Sequence, residues 1–358
     1  MLRALRLAAL GEGCTSPNPL VGAVVLSSSA ELVGEGYHRK AGEAHAELIA
    51  LQQAGEKANG GTLYVTLEPC CHKGRTPPCT AAVLSSGVKR VVVAIADPNP
   101  LVAGRGLTLL REAGLEVELG EGAEAAQLQN SAFLHRIHTG KPEGILKWAM
   151  SLDGRTALPN GASQWISGPE ARSWVHQLRS RCDAVIVGGG TVRADNPLLT
   201  SRGKRTPEPL RVVLSRELNL PGDAQIWDMS LAPTLVAHGP GANAEKIALL
   251  DQLGVERLPL EQCEPQQLME ALASRGCNRV LWECGPELAA SALQQGCVQQ
   301  IAAVIAPKLL GGIPARTPLG NLGLTKIPGA NEQATTKVSM QQLENDLIIQ
   351  IRIADEIK

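Results

Sequence analysis

Short apolar runs and stretches of helical period take turns along the whole chain. Up to residue 142, the runs Val21 to Leu26, Thr62 to Leu67, Arg90 to Ala96 and Leu115 to Leu119 are rich in Val and Leu, which predicts strands. Ala44 to Ala54, Cys79 to Ser86 and Gly106 to Ala113 read as helices between them, so this half reads as an α/β layer with a largely parallel part. Thr139-Gly140-Lys141-Pro142-Glu143-Gly144 is a turn-rich break. A second series follows it. Ile145 to Met150, Ala184 to Val187, Leu210 to Leu214, Thr234 to Ala237, Arg279 to Trp282 and Ile301 to Ile305 are strand candidates, with helices near Pro169 to Arg181, Glu245 to Leu253, Pro265 to Ser274 and Glu287 to Leu293. The expectation is two α/β domains, residues 1–142 and residues 143–358, and a length of 358 residues also suggests two. Met1 to Leu10 has apolar positions at helical spacing interrupted by Arg3 and Arg6, with no continuous apolar region or small-residue cleavage site. It reads as a structural helix and not as a targeting peptide.

Composition narrows the partners. Hydrophobic residues make up 44% and aromatic ones only 2%, so the cores must be built from Val, Leu, Ile and Ala, and aromatics are too scarce for a single-strand binding platform. A net charge of −1 gives no electrostatic drive toward nucleic acid. No run of about 20 apolar residues is present to span a membrane. Nine cysteines in a chain of this size read as reduced thiols in a cytoplasmic compartment. The partner left is a small molecule, with neither nucleic acid nor membrane, and homo-oligomer formation stays open.

Three segments carry the chemistry of the first half: His45-Ala46-Glu47, Glu68-Pro69-Cys70 and Pro77-Pro78-Cys79. One imidazole and two thiolates suit Zn²⁺ and leave a fourth position for water, whose pKa the metal lowers from ~15.7 toward ~7. His45, Cys70 and Cys79 are the candidate metal ligands, and Glu47, two residues after His45, is the candidate proton shuttle to a departing amine. Zinc deaminases of cytosine and adenine use this arrangement, with an H-x-E and a P-C-x-x-C signature. Here eight residues separate Cys70 from Cys79 where that signature has two. Cys70 falls at a strand end and Cys79 in the first turn of a helix opened by Pro77-Pro78, so both can still reach one metal. The intervening Cys71 to Thr76 forms a polar, basic loop, in which Cys71 is no ligand and His72 is a substrate contact rather than a ligand. The bland alternatives are buried cysteines beside a solvated loop, or a structural zinc site, which has no need of Glu47.

The second half offers weaker signals. Gly188-Gly189-Gly190-Thr191 follows a strand, so backbone amides with no Cβ in the way can approach a phosphate. Glu283-Cys284-Gly285-Pro286 repeats the strand, tight turn, helix order at a second place. Taken alone, these turns indicate a phosphate-bearing ligand and no more.

Thr15-Ser16-Pro17-Asn18-Pro19-Leu20-Val21-Gly22, Gly36-Tyr37-His38, the zinc-ligand segments with their long Cys-to-Cys insertion, and Asp97-Pro98-Asn99-Pro100 with Val102-Ala103-Gly104-Arg105-Gly106 together resemble the bifunctional riboflavin-biosynthesis deaminase/reductase family. The likeness continues through Lys147 to Arg155, Ser163-Gln164-Trp165-Ile166, Thr191 to Pro197, Glu283 to Pro286 and Ala306 to Gly311, in order and over nearly the whole chain. It implies a cytidine-deaminase-like domain followed by a dihydrofolate-reductase-like domain. It also implies hydrolytic deamination of a phosphoribosylaminopyrimidine at Zn²⁺, then reduction of its ribosyl group by NADPH. By motif match, Asn18, His38, Lys73, Arg75, Asp97 and Asn99 are candidate substrate contacts in the deaminase. In the reductase, Ala149, Trp165, Thr191, Asp195, Gly285 and Pro286 would face NADPH. Ser163, Arg179, Leu199, Arg202 and Glu283 would face substrate, with Lys147 and Asp195 as candidates for proton handling. Plain readings stand beside these: a strand lysine usually faces solvent, Asp195 can cap a turn, Trp165 can be core, and His38 and Asp97 can be ordinary loop residues. The chain departs from the family at Ala149, where some members have glycine, and at Ser215-Arg216, where an Asp-Ser pair is more usual. Rival readings are a nucleic-acid base deaminase with an accessory domain, a zinc scaffold that binds a nucleotide, and a chain with one active domain.

Overall fold

The computed structural model describes residues 1–71, 78–99, 103–314, 316–326 and 335–353. It divides into two compact units, Met1–Gly140 and Lys141–Lys358.

The first unit runs α1 (Leu2–Ala9), β1 (Gly22–Leu26), β2 (Leu32–Tyr37), α2 (Ala46–Ala54), β3 (Thr62–Leu67), α3 (Cys79–Ser85), β4 (Arg90–Ile95), α4 (Arg105–Glu112), β5 (Glu116–Leu119), α5 (Ala123–Gln129) and α6 (Ser131–Thr139). Its sheet has the order β2-β1-β3-β4-β5. β1 pairs antiparallel with β2 and β3, while β3, β4 and β5 are parallel. Ala23, Val25, Leu63, Val65, Val91 and Val93 are fully buried along it, which is the aliphatic core that scarce aromatics require. The carboxyl ends of β3 and β4 carry the chain into Cys70 and Asp97.

β2 is absent from the sequence-based expectation because Leu32-Val33-Gly34-Glu35-Gly36-Tyr37 holds two residues poor in strand propensity. The packing supplies the reason for both. A Cβ on Gly34 would sit 2.1 Å from the Ala50 carbonyl oxygen, and one on Gly36 would sit 2.7 Å from that of Ala46. α2 therefore lies with its backbone directly against β2, and only glycine permits that approach. α5 and α6 were also not anticipated. They are short, and Asn130 between them accepts from Leu20 N–H (2.8 Å) and donates to Leu20 C=O (2.9 Å). That pair, with Arg136 donating to the Pro17 carbonyl (2.9 Å), fixes the Pro17-Asn18-Pro19 turn.

The second unit runs β6 (Glu143–Ser151), α7 (Pro169–Ser180), β7 (Ala184–Gly188), α8 (Gly189–Asp195), β8 (Leu210–Leu214), β9 (Thr234–His238), α9 (Ala244–Gln252), β10 (Glu256–Pro259), α10 (Pro265–Ser274), β11 (Arg279–Trp282), α11 (Pro286–Gln294), β12 (Gln300–Ala306), β13 (Thr335–Leu343) and β14 (Asp346–Ile353). The strand order is β10-β9-β8-β7-β11-β6-β12-β14-β13, parallel from β10 to β12, with β14 antiparallel to both β12 and β13. Alternate residues of each central strand enter opposite layers. Val185, Val187, Val213 and Leu281 pack with Leu178, Val192 and Leu250 of α7, α8 and α9. Ala184, Ile186, Val212 and Val280 pack with Leu268, Leu272 and Ala289 of α10 and α11. A sheet covered on both faces explains why these strands read as unbroken apolar runs.

The chain passes from β6 to β7 and outward to β10, then returns to insert β11 between β7 and β6. This reversal is a topological switch point, where ligands of open α/β sheets bind at the carboxyl ends of the strands. β10, β13 and β14 lie toward the sheet edges and were not anticipated: Glu256-Arg257-Leu258-Pro259 is only four residues long, and β13 exposes Val338 and Met340 among polar neighbours.

The α2–β2 contact can be tested. Gly34→Ala is expected to lower the stability of the first unit by ~1–3 kcal/mol, the usual cost of overpacking, and to reduce deamination through displaced His45 and Glu47. Unfolding followed by zinc release should shift, while NADPH-dependent reduction should not.

Candidate active sites

His45 is the N-cap of α2 and has an extended backbone (φ −74°, ψ 159°), which turns its ring away from the helix toward the end of β3. Cys79 is the first residue of α3, with Pro78 as the N-cap, so that proline precedes the first turn and does not occupy it as the sequence suggested. His45 Nδ1 lies 3.1 Å from Cys79 Sγ and 3.7 Å from Cys70 Sγ, and the Cys79 N–H donates to Cys70 Sγ at 3.3 Å. All three ligand atoms fall within 4.8 Å of one another. A tetrahedral zinc bound by nitrogen at ~2.1 Å and sulfur at ~2.3 Å separates its N and S ligands by ~3.6 Å, so the triad fits the metal. A hydrogen bond from Cys79 draws the Cys70 thiol down and pushes that of Cys79 up in turn; the pair shares one proton, which a bound cation would displace.

Glu47, in the first turn of α2, is 3% exposed, and its Oε2 has no hydrogen-bond partner among the described residues. Burial raises its pKa to about 6. His38 is buried beside the triad, its ring 5.3 Å from that of His45 and edge-on to it. Its Nε2 lies 3.0 Å from Asn18 Nδ2 and its Nδ1 lies 3.2 Å from the Ala44 carbonyl oxygen, so His38 and Asn18 form one unit against the site. Desolvation lowers the His38 pKa and favours the neutral ring. Asn99 N–H donates to Asp97 Oδ1 (2.9 Å) at the end of β4. Lys73 and Arg75, with His72 and Pro77, lie outside the described residues.

In the second unit, β11 pairs with β6 so that Trp282 lies opposite Leu146, which brings Glu283 beside Lys147. Lys147 Nζ donates to Glu283 Oε2 (3.2 Å), and Arg179 of α7 donates from Nε to Oε1 (2.5 Å) and from a terminal nitrogen to Oε2 (3.1 Å). Burial alone would raise the Glu283 pKa, but the charges of Arg179 and then Lys147 outweigh it and hold the carboxylate at about 2. The remaining Arg179 nitrogen donates to the Thr200 carbonyl (2.9 Å), tying this cluster to the segment that carries Leu199 and Arg202. Both residues take left-handed backbone conformations, with φ 55° and 57°. Glu208 secures that geometry by accepting from the Ser201 N–H (2.5 Å) and the Gly203 N–H (2.9 Å).

Ser163 donates to Asp195 Oδ1 at 2.8 Å, so Lys147 and Asp195 belong to separate hydrogen-bonded pairs. Ala149 follows Lys147 by two residues on β6 and faces the same side of the sheet. Trp165 is 64% exposed and is not core. The Arg172 guanidinium stacks 4.7 Å from its ring centre, and Lys308 Nζ donates to its carbonyl (2.8 Å). The glycine run differs from a plain loop: Gly188 is the N-cap of α8, which begins inside it. The two turns converge, since a Cβ on Gly285 would sit 3.6 Å from Thr191 Oγ1. Gly285 is the N-cap of α11 with Pro286 at its first turn, and no side chain among the described residues caps that end, so its first N–H groups are available to an anion.

The comparisons with known proteins follow this division. The model of the cytidine and deoxycytidylate deaminase zinc-binding region matches residues 1–95, and that of the RibD C-terminal domain matches residues 142–349. The riboflavin biosynthesis protein RibD of Synechocystis sp. is 52% identical over 330 residues, covering 92% of this chain and 89% of the relative. The chain belongs to the RibD family. RibD of Escherichia coli is 40% identical over 365 residues, covering 93% of this chain and 92% of the relative. Acinetobacter baumannii RibD superposes with a TM-score of 0.87 at 38% identity, covering 99% of this chain and 98% of that one. A Thermotoga maritima deaminase/reductase gives a TM-score of 0.87 at 32% identity, covering 99% and 97%. The fold is thus a cytidine-deaminase-like unit followed by a RibD reductase unit, and the chain is a bifunctional zinc deaminase and NADPH-dependent reductase of riboflavin biosynthesis. Among the described residues, no helix is long and apolar enough to cross a membrane.

Within this RibD site, sequence reasoning gave no role to Glu208 or Arg172, and no local spacing could have supplied one. Glu68 had a signal, its place in Glu68-Pro69-Cys70, that went unused.

The Glu283 cluster predicts a pH dependence. A carboxylate whose folded pKa is depressed from 4.5 to about 2 contributes stability fully present above 4.5 and lost as pH falls toward 2. Glu283→Gln, which leaves Arg179 and Lys147 without their anion, is expected to destabilise the reductase unit by ~3–5 kcal/mol at pH 7. The gap from the parent protein should narrow below pH 4.5 in denaturant unfolding; a gap independent of pH would contradict the assignment.

Proposed function

We propose that the first unit hydrolytically removes the ring amine of 2,5-diamino-6-(5-phosphoribosylamino)pyrimidin-4-one, and that the second reduces the ribosyl group of the product with NADPH. The similarity to the Thermotoga maritima diaminohydroxyphosphoribosylaminopyrimidine deaminase/5-amino-6-(5-phosphoribosylamino)uracil reductase supports this substrate. The observation that carries the hydrolytic half is the orphaned, buried Glu47 Oε2 beside the His45, Cys70 and Cys79 triad. A structural metal site gives no reason for a carboxylate to be desolvated there.

Zinc held by the triad supplies Lewis acidity and lowers the pKa of water to ~7. Glu47 takes a proton from the attacking water and delivers it to the departing amine nitrogen. A pKa raised to about 6 suits both directions of that transfer. Asn18 and His38 orient the pyrimidine from the Pro17 turn, and Asp97 and Asn99 do so from the end of β4. The basic residues Lys73 and Arg75 are assigned to the phosphoribosyl group.

In the second unit, bound NADPH would supply the hydride for C1′, and the bond from C1′ to the ring oxygen would open. The freed oxygen needs a proton, for which Lys147, held by Glu283, is the candidate donor, with Asp195 as the alternative through Ser163. Ala149, Trp165, Thr191, Gly285 and Pro286 are assigned to the cofactor. Each Arg179 nitrogen already donates to the protein, which favours Arg202 as the partner of the 5′-phosphate, with Arg179 and Leu199 shaping its segment. Nine cysteines with no disulfide among the described residues support a reducing, cytoplasmic setting.

Glu47→Ala is expected to keep about one zinc per chain yet slow deamination by roughly 10²–10⁴-fold, the range for a lost acid/base group. Cys79→Ser should lose metal instead. Deamination by Glu47→Ala at near the parent rate would overturn the role of Glu47. For the reductase, Arg202→Ala should weaken the phosphorylated, deaminated pyrimidine by roughly 10–150-fold, the size of one charge-assisted hydrogen bond. NADPH oxidation measured with and without the 5′-phosphate separates this effect from general damage.

A further inference from the structure

Glu68 opens the Glu68-Pro69-Cys70 segment, and neither the metal triad nor the proton transfer uses it. Its side chain is 3% exposed, and no lysine or arginine pairs with it among the described residues. Backbone amides meet it instead. Glu68 Oε2 accepts from the N–H groups of Asp97 (3.1 Å) and Gly104 (3.0 Å). Oε1 accepts from those of Gly106 (2.8 Å) and Leu107 (3.2 Å). α4 begins at Arg105 behind a left-handed Gly104 (φ 80°), which offers no side chain to cap it, so the distant carboxylate does the capping. The fit leaves no slack: a Cβ on Gly106 would sit 2.3 Å from the Pro69 carbonyl oxygen. Glu68 also continues the β3–β4 ladder through its own N–H, which donates to the Ile95 carbonyl at 2.9 Å. One side chain thus joins three things: the strand end leading to Cys70, the turn bearing Asp97, and the start of α4. The Ala103 N–H closes that turn on the Asn99 carbonyl at 2.9 Å.

We infer that Glu68 is a positioning residue of the deaminase, holding Asp97 and Asn99 at a fixed place relative to Cys70 so that the pyrimidine is bound where the metal acts. The inference rests on the proposed contact role of Asp97 and Asn99. Four directional bonds on two oxygens define a place and an orientation, which an apolar contact at the same position would not.

The test is Glu68→Gln in the full-length zinc-loaded protein, assayed by ammonia release. The amide keeps one acceptor oxygen and turns an NH₂ toward either the Asp97 and Gly104 N–H groups or those of Gly106 and Leu107, so the four-bond link between the Asp97 turn and the start of α4 is broken in either orientation. The expected result is a rise of about tenfold in KM for the diamino pyrimidine, the size of one lost bond to a charged group. A smaller fall in kcat, about one zinc per chain and unchanged NADPH-dependent reduction should accompany it. Glu68→Asp, with the same charge one methylene further back, should show the same split at smaller amplitude, and it serves as the test if the glutamine protein does not fold. An unchanged KM with reduced kcat or lost zinc overturns the inference, as does failure of both variants to fold, because either result makes Glu68 a support of the fold and not of the turn. Asp97→Ala distinguishes the two levels. If it raises KM and the Glu68 variants do not, the positioning role alone fails; if it leaves KM unchanged, the contact reading beneath it fails.

Discussion

A carboxylate taken out of water must be met by donors or cations, because an unpaired buried charge costs several kcal/mol. This chain buries such groups at the places where its two chemistries are arranged. Glu68 gathers four backbone N–H groups at the deaminase. Glu283 gathers Arg179 and Lys147 at the reductase. Away from either chemistry, at the amino end of β6, Glu143 does the same with Arg279 and Arg352 from β11 and β14. In each case the satisfied carboxylate fixes its partners as firmly as they satisfy it. Segments from opposite sides of a sheet end, which apolar packing alone would leave free to slide, are thereby locked in register.

Glu47 stands apart from this set, and the difference separates acting groups from holding groups. Glu283 is surrounded by cations and stays ionised down to about 2, so it cannot exchange a proton near neutrality and serves as a fixed anion. Glu47 has comparable burial but only partial compensation, from its own N–H, the charge of His45 and a hydrogen bond with Cys79, and desolvation outweighs these and brings it to about 6. A group with one oxygen unmet by the protein has somewhere to place a proton and little preference for keeping it. The same residue type is thus static or mobile according to whether the fold completes its hydrogen bonds.

The deaminase centre was legible because its information is local. His45 and Glu47 share one helix start, and the two cysteines end a strand and begin a helix, so ligand chemistry and a few residues of pattern suffice. The long apolar strands of both sheets were legible for a related reason, since burial on both faces leaves no polar alternation to confuse them. β2 was hidden because Gly34 and Gly36 answer to α2 and not to strand propensity. The edge elements β10 and β13 were hidden by their brevity or exposure, and α8 by beginning inside three glycines. The reductase cluster was legible only through resemblance. Lys147, Arg179 and Glu283 are separated by 32 and 104 residues; the β6–β11 register brings Lys147 to Glu283, and α7 adds Arg179.

Both units place their chemistry at the carboxyl ends of parallel strands. Cys70 and Asp97 follow β3 and β4, while Glu283 follows β11 and the glycine run follows β7. Parallel pairing leaves every strand of a layer ending on one edge, so residues distant in sequence arrive there together and helices start beside them. The positive ends of α2 and α3 flank the metal triad, and that of α11 flanks the proposed phosphate turn. Hydrolysis and hydride transfer therefore need no separate architecture. What divides them is the donor set at the strand ends: thiols and an imidazole suited to a metal in one unit, and in the other glycine amides and a locked cation cluster, proposed for a phosphorylated cofactor and substrate. Each set needs only its own sheet to assemble, which is why a family can carry both activities on one chain.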